Sequence, residues 1–207
     1  MKMTITRALV ELKTLNKRIM NVIELLNPVA VVTGKNTPRG FSTREEFEKD
    51  VKAKYESVNA LINRQKQIKS GIIKANASTS VEVAGIKMTI AEAIERKSSI
   101  VLEKALLQHL SEKYASNLRV HEQADSKCNE QLQRLLEVNF GKDSKAKSDE
   151  IDAISKPYLE NNAPKLIDPL DIKKTIEGLE DSITKFESEV DVTLSEANAQ
   201  TEIEVLD

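Results

Sequence analysis

The string KMTI stands at residues 2–5 and again at 87–90, and ANASTSVEV at 75–83 returns as ANAQTEIEV at 197–205. In the longer pair six of nine letters are identical, and Val81 is matched by Ile203. The two strings alternate along the chain, so one start and one stop are each written twice. The similarity continues past the start, as MTITRAL against MTIAEAI. This shared order points to an internal duplication, with one repeat over residues 1–83 and the second over 84–207.

Between the strings the chain reads as helix. After Thr4, a good N-cap, Ile5, Ala8, Leu12, Leu15, Ile19, Val22 and Leu26 step by three and four, the spacing of one helix face. Asn27-Pro28 ends the run, because proline disfavours helix in the residue before it. VAVVTGKNTPRGFS reads as a short extended piece and a loop. Thr43 and Glu46 form a capping box for a second helix, whose looser stripe is Phe47, Val51, Tyr55, Val58, Ile62, Ile68 and Ile72. It runs out near Ala75-Asn76. Val81 and Val83, then Ile86 and Met88, flank the two-residue turn Ala84-Gly85 as a hairpin.

The second repeat follows the same grammar with more chain. Thr89 and Glu92 make another capping box, and nothing breaks the third helix before Asn139-Phe140-Gly141, where glycine supplies a left-handed stop. At 1.5 Å per residue that helix is about 75 Å long. Beyond the polar loop KDSKAKS, Ser148 is the expected cap of a short helix around 151–159, which Pro157 should bend or restart. Asp168-Pro169 has the cap-then-proline order that starts a helix. Ile172, Ile176, Leu179, Ile183, Phe186, Val190 and Ala197 give that helix a regular stripe, and TEIEV alternates like a strand.

Two helices of a hairpin return the chain to its starting end, so the four strands collect there. The expectation is a mainly α (α+β) single domain, an internally duplicated αα-hairpin with a small four-stranded antiparallel sheet at one end and a pseudo-twofold. The extra length of the second repeat, about 107–165, is expected as a long projecting two-helix arm. Between Leu118 and Leu132 it offers only Val120, Ala124 and Cys128 as apolar anchors. Helices owe most of their stability to packing, so an arm this polar implies a homo-oligomer or flexibility.

Composition limits the function. The chain has 207 residues, 40% hydrophobic and 31% charged, with 3% aromatics, no Trp and few Gly or Pro, which favours helices. A net charge of −2 gives no global pull toward duplex nucleic acid or an anionic membrane. MKMTITR has no apolar segment of the signal-peptide kind, no stretch approaches the ~20 apolar residues of a membrane span, and the single Cys128 fits a reducing compartment. A cytoplasmic protein is expected.

Residues for chemistry are sparse. His109 and His121 are twelve apart and Cys128 lies seven after His121, off the spacing that lets one helix offer two metal ligands. No GxGxxG, GxxxxGK[ST], HExxH or GxSxG occurs. The expectation is no enzyme, no cofactor and no metal. One charge feature stands out. Residues 57–81 hold Arg64, Lys66, Lys69 and Lys74 and no acid, whereas 177–207 hold ten carboxylates against Lys185 alone. Equivalent elements of opposite sign attract within the molecule or between subunits. As a ligand site, Arg64, Lys66 and Lys69 with Asn63 form a candidate anion or nucleotide pocket.

The segments INRQ, ANASTSVEVAG and MTIAEAIERK, within residues 61–97, resemble the septicolysin-like family of uncharacterised bacterial helical proteins. FGKDSKAKSDEIDAISKPYLENNAPKLIDPLDI and FESEVDVTLSEANAQTEIEV resemble uncharacterised proteins of large tailed bacteriophages. The first label implies a cytolysin, but no amphipathic hairpin with an apolar outer face is present to enter a bilayer. The second implies a phage protein in the cytoplasm of the infected host or in the virion. The resulting expectation is a structural or assembly component acting through protein partners and its own copies. The alternative is an anti-defence protein that sequesters a small nucleotide signal.

Overall fold

A computed structural model describes residues 1–141 and 147–205; most of the loop KDSKAKS lies outside the described residues. Among the described residues the order is β1 (Lys2–Thr4), α1 (Ile5–Leu25), α2 (Arg44–Ser78), β2 (Ser80–Val83), β3 (Ile86–Thr89), α3 (Ile90–Phe140), α4 (Ser148–Asn162), α5 (Ile172–Gln200) and β4 (Glu202–Glu204). The protein is mainly α with a few strands. Strand, helices, strand is followed by strand, helices, strand, as the repeated strings predict.

The strands lie in two antiparallel pairs, β1 with β4 and β2 with β3, rather than in one four-stranded ladder. Each pair takes one strand from each repeat, and the registers are the same. Lys2, Met3 and Thr4 oppose Glu204, Ile203 and Glu202; Lys87, Met88 and Thr89 oppose Glu82, Val81 and Ser80. Aligned on KMTI and ANA, these are equivalent partners throughout. The exits match too: Ile5 N–H donates to Thr201 O at 2.9 Å and Ile90 N–H to Thr79 O at 3.0 Å. Two ladders exchanged by a twofold account for every one of these pairings.

The chain divides into two compact units, residues 1–98 with 185–207, and residues 99–184. In the first, Met3, Ile5, Ala8, Leu15, Ile68, Ile203 and Val205 are buried together, with Leu12, Leu61, Ile72 and Ala75 packed against them. These are the stripes of α1 and α2, and the repeat partners of Ile5, Ala8, Ile68 and Val205, namely Ile90, Ala93, Val190 and Val83, are buried as well. Tyr55 is the exception in the expected α2 stripe: it is 59% exposed, and the buried face continues instead through Leu61. At Gly71 α2 approaches β4 so closely that an added Cβ would meet Ile203 at 3.3 Å.

The caps follow the sequence where a hydroxyl leads. Arg7 N–H donates to Thr4 Oγ1 at 3.3 Å, Glu46 N–H to Thr43 Oγ1 at 3.1 Å, and Glu92 N–H to Thr89 Oγ1 at 3.1 Å. Gly141 stops α3 at φ 78°, its N–H donating to Glu137 O at 2.8 Å. Two boundaries differ. Asp168 does not open a helix at Pro169: its carboxylate accepts from Leu170 and Ile172 N–H, Asp171 turns to φ 48°, and α5 starts at Ile172. An Asp side chain that captures the amides two and four residues on makes a turn first. Lys147, not Ser148, is the cap of α4, which runs through Pro157 without restarting.

In the second unit the α3 seam passes through Tyr114, Leu118, His121, Ala124, Cys128, Leu132 and Leu135, all buried or half-buried. His121 takes the place expected of Val120, which faces out. The three-and-four stepping of the seam selects His121, whose ring has an apolar body and a polar tip. Tyr158 of α4 donates its hydroxyl to Gln131 Oε1 at 3.1 Å. Burial pushes the Tyr158 phenol above its usual range, and the adjacent Cys128 thiol adds to this.

Two outcomes follow. Ala84 and Gly85 both have positive φ, 55° and 75°, as a two-residue type I′ hairpin requires, and alanine bears strain there. Ala84→Asn should therefore raise stability by roughly 1 kcal/mol in urea unfolding. Glu92 accepts from Thr89 N–H at 2.6 Å and from the Thr89 hydroxyl at 2.9 Å, the backbone donor contributing most, which holds its carboxyl below the usual range. Its contribution is present above the ordinary Glu pKa and is lost as pH falls through the lowered value. A carbon-detected NMR titration should place the Glu92 midpoint below the ordinary range, and Thr89→Val, which removes the hydroxyl but keeps the backbone donor, should return it only part of the way.

Candidate functional site

The basic residues of α2 do not converge on one point. Arg64 turns to α1, where its Nε donates to Glu11 Oε1 at 3.0 Å, with the two side chains only 22% and 30% exposed. Next to it Gln65 bonds Asn16 across the same helix pair. Asn63 and Lys69 are exposed. Lys66 lies on another face, which it shares with Ser70 and Lys74 at four-residue steps. That face borders a groove of about 340 Å³ whose opposite side is Glu204 of β4 and Val205 just after it. The acid-rich end of the second repeat thus meets the acid-free helix of the first, and Lys2 closes on Glu204 at 3.2 Å.

The duplication explains the position of Arg64. Aligned on KMTI, Glu11 falls on Arg96; aligned on ANA, Arg64 falls on Phe186. In the second repeat Arg96 lies over the Phe186 ring, 4.6 Å from its centroid. One helix-to-helix contact is therefore kept in both repeats, as an ion pair in one and a cation–π contact in the other. Further charged groups hold this unit together. The Glu189 carboxylate accepts from Ala84 N–H at 2.7 Å, bracing the hairpin turn, and Lys97 pairs with Asp191.

Among the described residues no three His, Cys, Asp or Glu are grouped to hold a metal, and no helix is long and apolar enough to cross a membrane. Cys128 is buried in the α3 seam, adjacent to Tyr158.

Two surface features were not singled out by spacing. The first is an apolar face of α3 within the second unit. Val101, Leu102 and Leu106 are 61%, 72% and 49% exposed, on the side opposite the seam. Its signal in the sequence is the doubled apolar run in IVLEKALLQHL, which is too rich for one buried stripe. The second is a cavity of about 420 Å³ between α3 and residues 165–172. Its signal is the pair Leu166-Ile167 in an otherwise polar connection.

No protein-family model and no curated protein matches the chain. Among solved structures it is similar to a functionally unknown conserved protein from Corynebacterium diphtheriae, at 18% identity and a TM-score of 0.37, over 99% of this chain and 100% of that one. At that distance the likeness contributes nothing to a functional reading. Fold and surface define a mainly α protein with a paired-strand frame.

Exchanging the chemistry of the two equivalent contacts tests their equivalence. Glu11→Arg alone sets two guanidinium groups against each other and should destabilise the protein by roughly 1–2 kcal/mol in urea unfolding. Adding Arg64→Phe reproduces the pairing of the second repeat and should recover most of the loss; a double variant no better than the single one would refute the equivalence.

Proposed function

We propose that the protein is a non-enzymatic bacteriophage protein, a structural or assembly component that works by contact with protein, its own copies first. The exposed face Val101, Leu102 and Leu106 carries this reading. Large aliphatic side chains clustered on one side of a helix lose their contact with water only when another surface covers them, at about 25 cal/mol per Å² buried. The strand edges support self-association less, because each ladder sets Lys against Glu, Lys2 with Glu204 and Lys87 with Glu82, and such charges discourage added strands. The phage assignment rests on the resemblance of the second repeat.

Light scattering and sedimentation across a dilution series test the reading. The wild type should be a homo-oligomer, and Leu102→Glu with Leu106→Glu should reduce it to a monomer. The melting temperature of the monomer unit should barely change, since substitutions at exposed positions shift stability by about 0.5 kcal/mol or less. A wild type that stays monomeric at every concentration and is retained by no virion or host protein would overturn it.

A further inference from the structure

The cavity in the second unit has a divided lining. Leu110, Leu166, Ile167 and Ile172 give it an apolar wall, and Ile167 at its rim is 88% exposed. Lys113 and Lys165 flank that wall from α3 and from the connection. Among the described residues neither ammonium has a carboxylate within ion-pair distance. One carboxylate, Asp168, also belongs to the lining; it accepts from Leu170 N–H at 3.2 Å and from Ile172 N–H at 2.8 Å, amides that fix its direction without cancelling its charge, so two ammonium groups share the lining with one carboxylate. Positive charge is thus left unneutralised beside an exposed apolar surface.

We infer that this cavity binds a small amphipathic anion, a compact apolar body bearing one carboxylate, sulfonate or phosphate-ester head. Both halves of the lining are needed to reach that class. A neutral apolar ligand leaves the excess positive charge without a counter-charge. An inorganic anion leaves the wall of Leu110, Ile167 and Ile172 in water and finds no guanidinium among the described lining residues to fix its oxygens. A ligand with both parts satisfies both. Tyr114, half-buried in the α3 seam, offers a flat ring to the body, and a few hundred Å³ is the usual size of a small-molecule site. The site is separate from the apolar face Val101, Leu102 and Leu106.

Calorimetric titration of the full chain with 2-naphthoate, its neutral counterpart 2-naphthamide, and inorganic phosphate tests the assignment. One 2-naphthoate should bind per chain, at least tenfold tighter than the amide, with no saturable heat from phosphate. The double variant Lys113→Gln, Lys165→Gln should fold with an unchanged melting temperature and lose the preference for the acid. Ile167→Asp should weaken acid and amide alike. Absence of saturable 2-naphthoate binding at millimolar ligand, equal affinity for the amide, or an undiminished preference in the double variant would overturn the inference. Saturable phosphate binding at the same lysines would overturn the amphipathic part of it.

Discussion

The exchange of strands between the two repeats is the constraint on which the rest depends. Each ladder is only three or four residues long, too short to stand alone in water. It persists because the strands are the ends of packed helices: Met3 and Ile203 meet on a floor of Ile5, Ala8, Leu15 and Ile68. Neither repeat can complete a ladder by itself, since β1 needs β4 and β2 needs β3. The hairpin β2–β3 forms locally. The pair β1–β4 joins opposite ends of the chain, and the terminal ammonium of Met1 donates to Val205 O at 2.8 Å. Closing so long a loop costs only slowly more entropy than closing a short one, but such non-local pairing slows folding.

Once the ladders fix the register, the helices attached to them occupy equivalent places, and the side chains at those places are free to change. Burial is kept where the apolar core requires it, at Ile5 and Ile90, Ala8 and Ala93, and Ile68 and Val190. Chemistry is exchanged where a contact lies near the surface. Glu11 with Arg64 becomes Arg96 with Phe186, so the geometry survives the loss of one charge and the reversal of another. Gly71 aligns with Thr193, which shows that the close approach to Ile203 belongs to the first repeat rather than to the shared frame.

The fold was legible wherever its cause was local. Thr4, Thr43 and Thr89 cap through their own hydroxyls, Gly141 stops a helix by its own φ, and the repeated strings carry strand order. Asp168 departs from the expected cap because two local outcomes compete for one carboxylate, a cap at once or a turn first. His121 and Val120 are neighbours, and only the phase of the seam decides which one turns inward. The site was less legible. A run of basic residues says nothing of Glu11, fifty-three positions before Arg64, whose carboxylate accepts from the Arg64 Nε. Lys113 and Lys165 are likewise far apart in sequence, and their juxtaposition comes from the path of the connection after α4, which has no periodicity to read.

Interaction with other molecules belongs where the chain's own groups leave something unsatisfied. In the first unit the charges are largely used internally: Arg64 on Glu11, Lys2 on Glu204, Lys97 on Asp191, and Glu189 on the turn at Ala84. Of its basic helix, Arg64 is paired with Glu11 of α1, and Lys66 and Lys74 share a groove with Glu204. The second unit differs in both respects. It keeps an aliphatic face on α3 that nothing within it covers and two ammonium groups beside an apolar cavity. The residues that the second repeat has beyond the first fall in this unit. Duplication thus supplied a frame that satisfies itself, and the second unit carries surfaces that do not, which is why contact and ligand binding are assigned to residues 99–184.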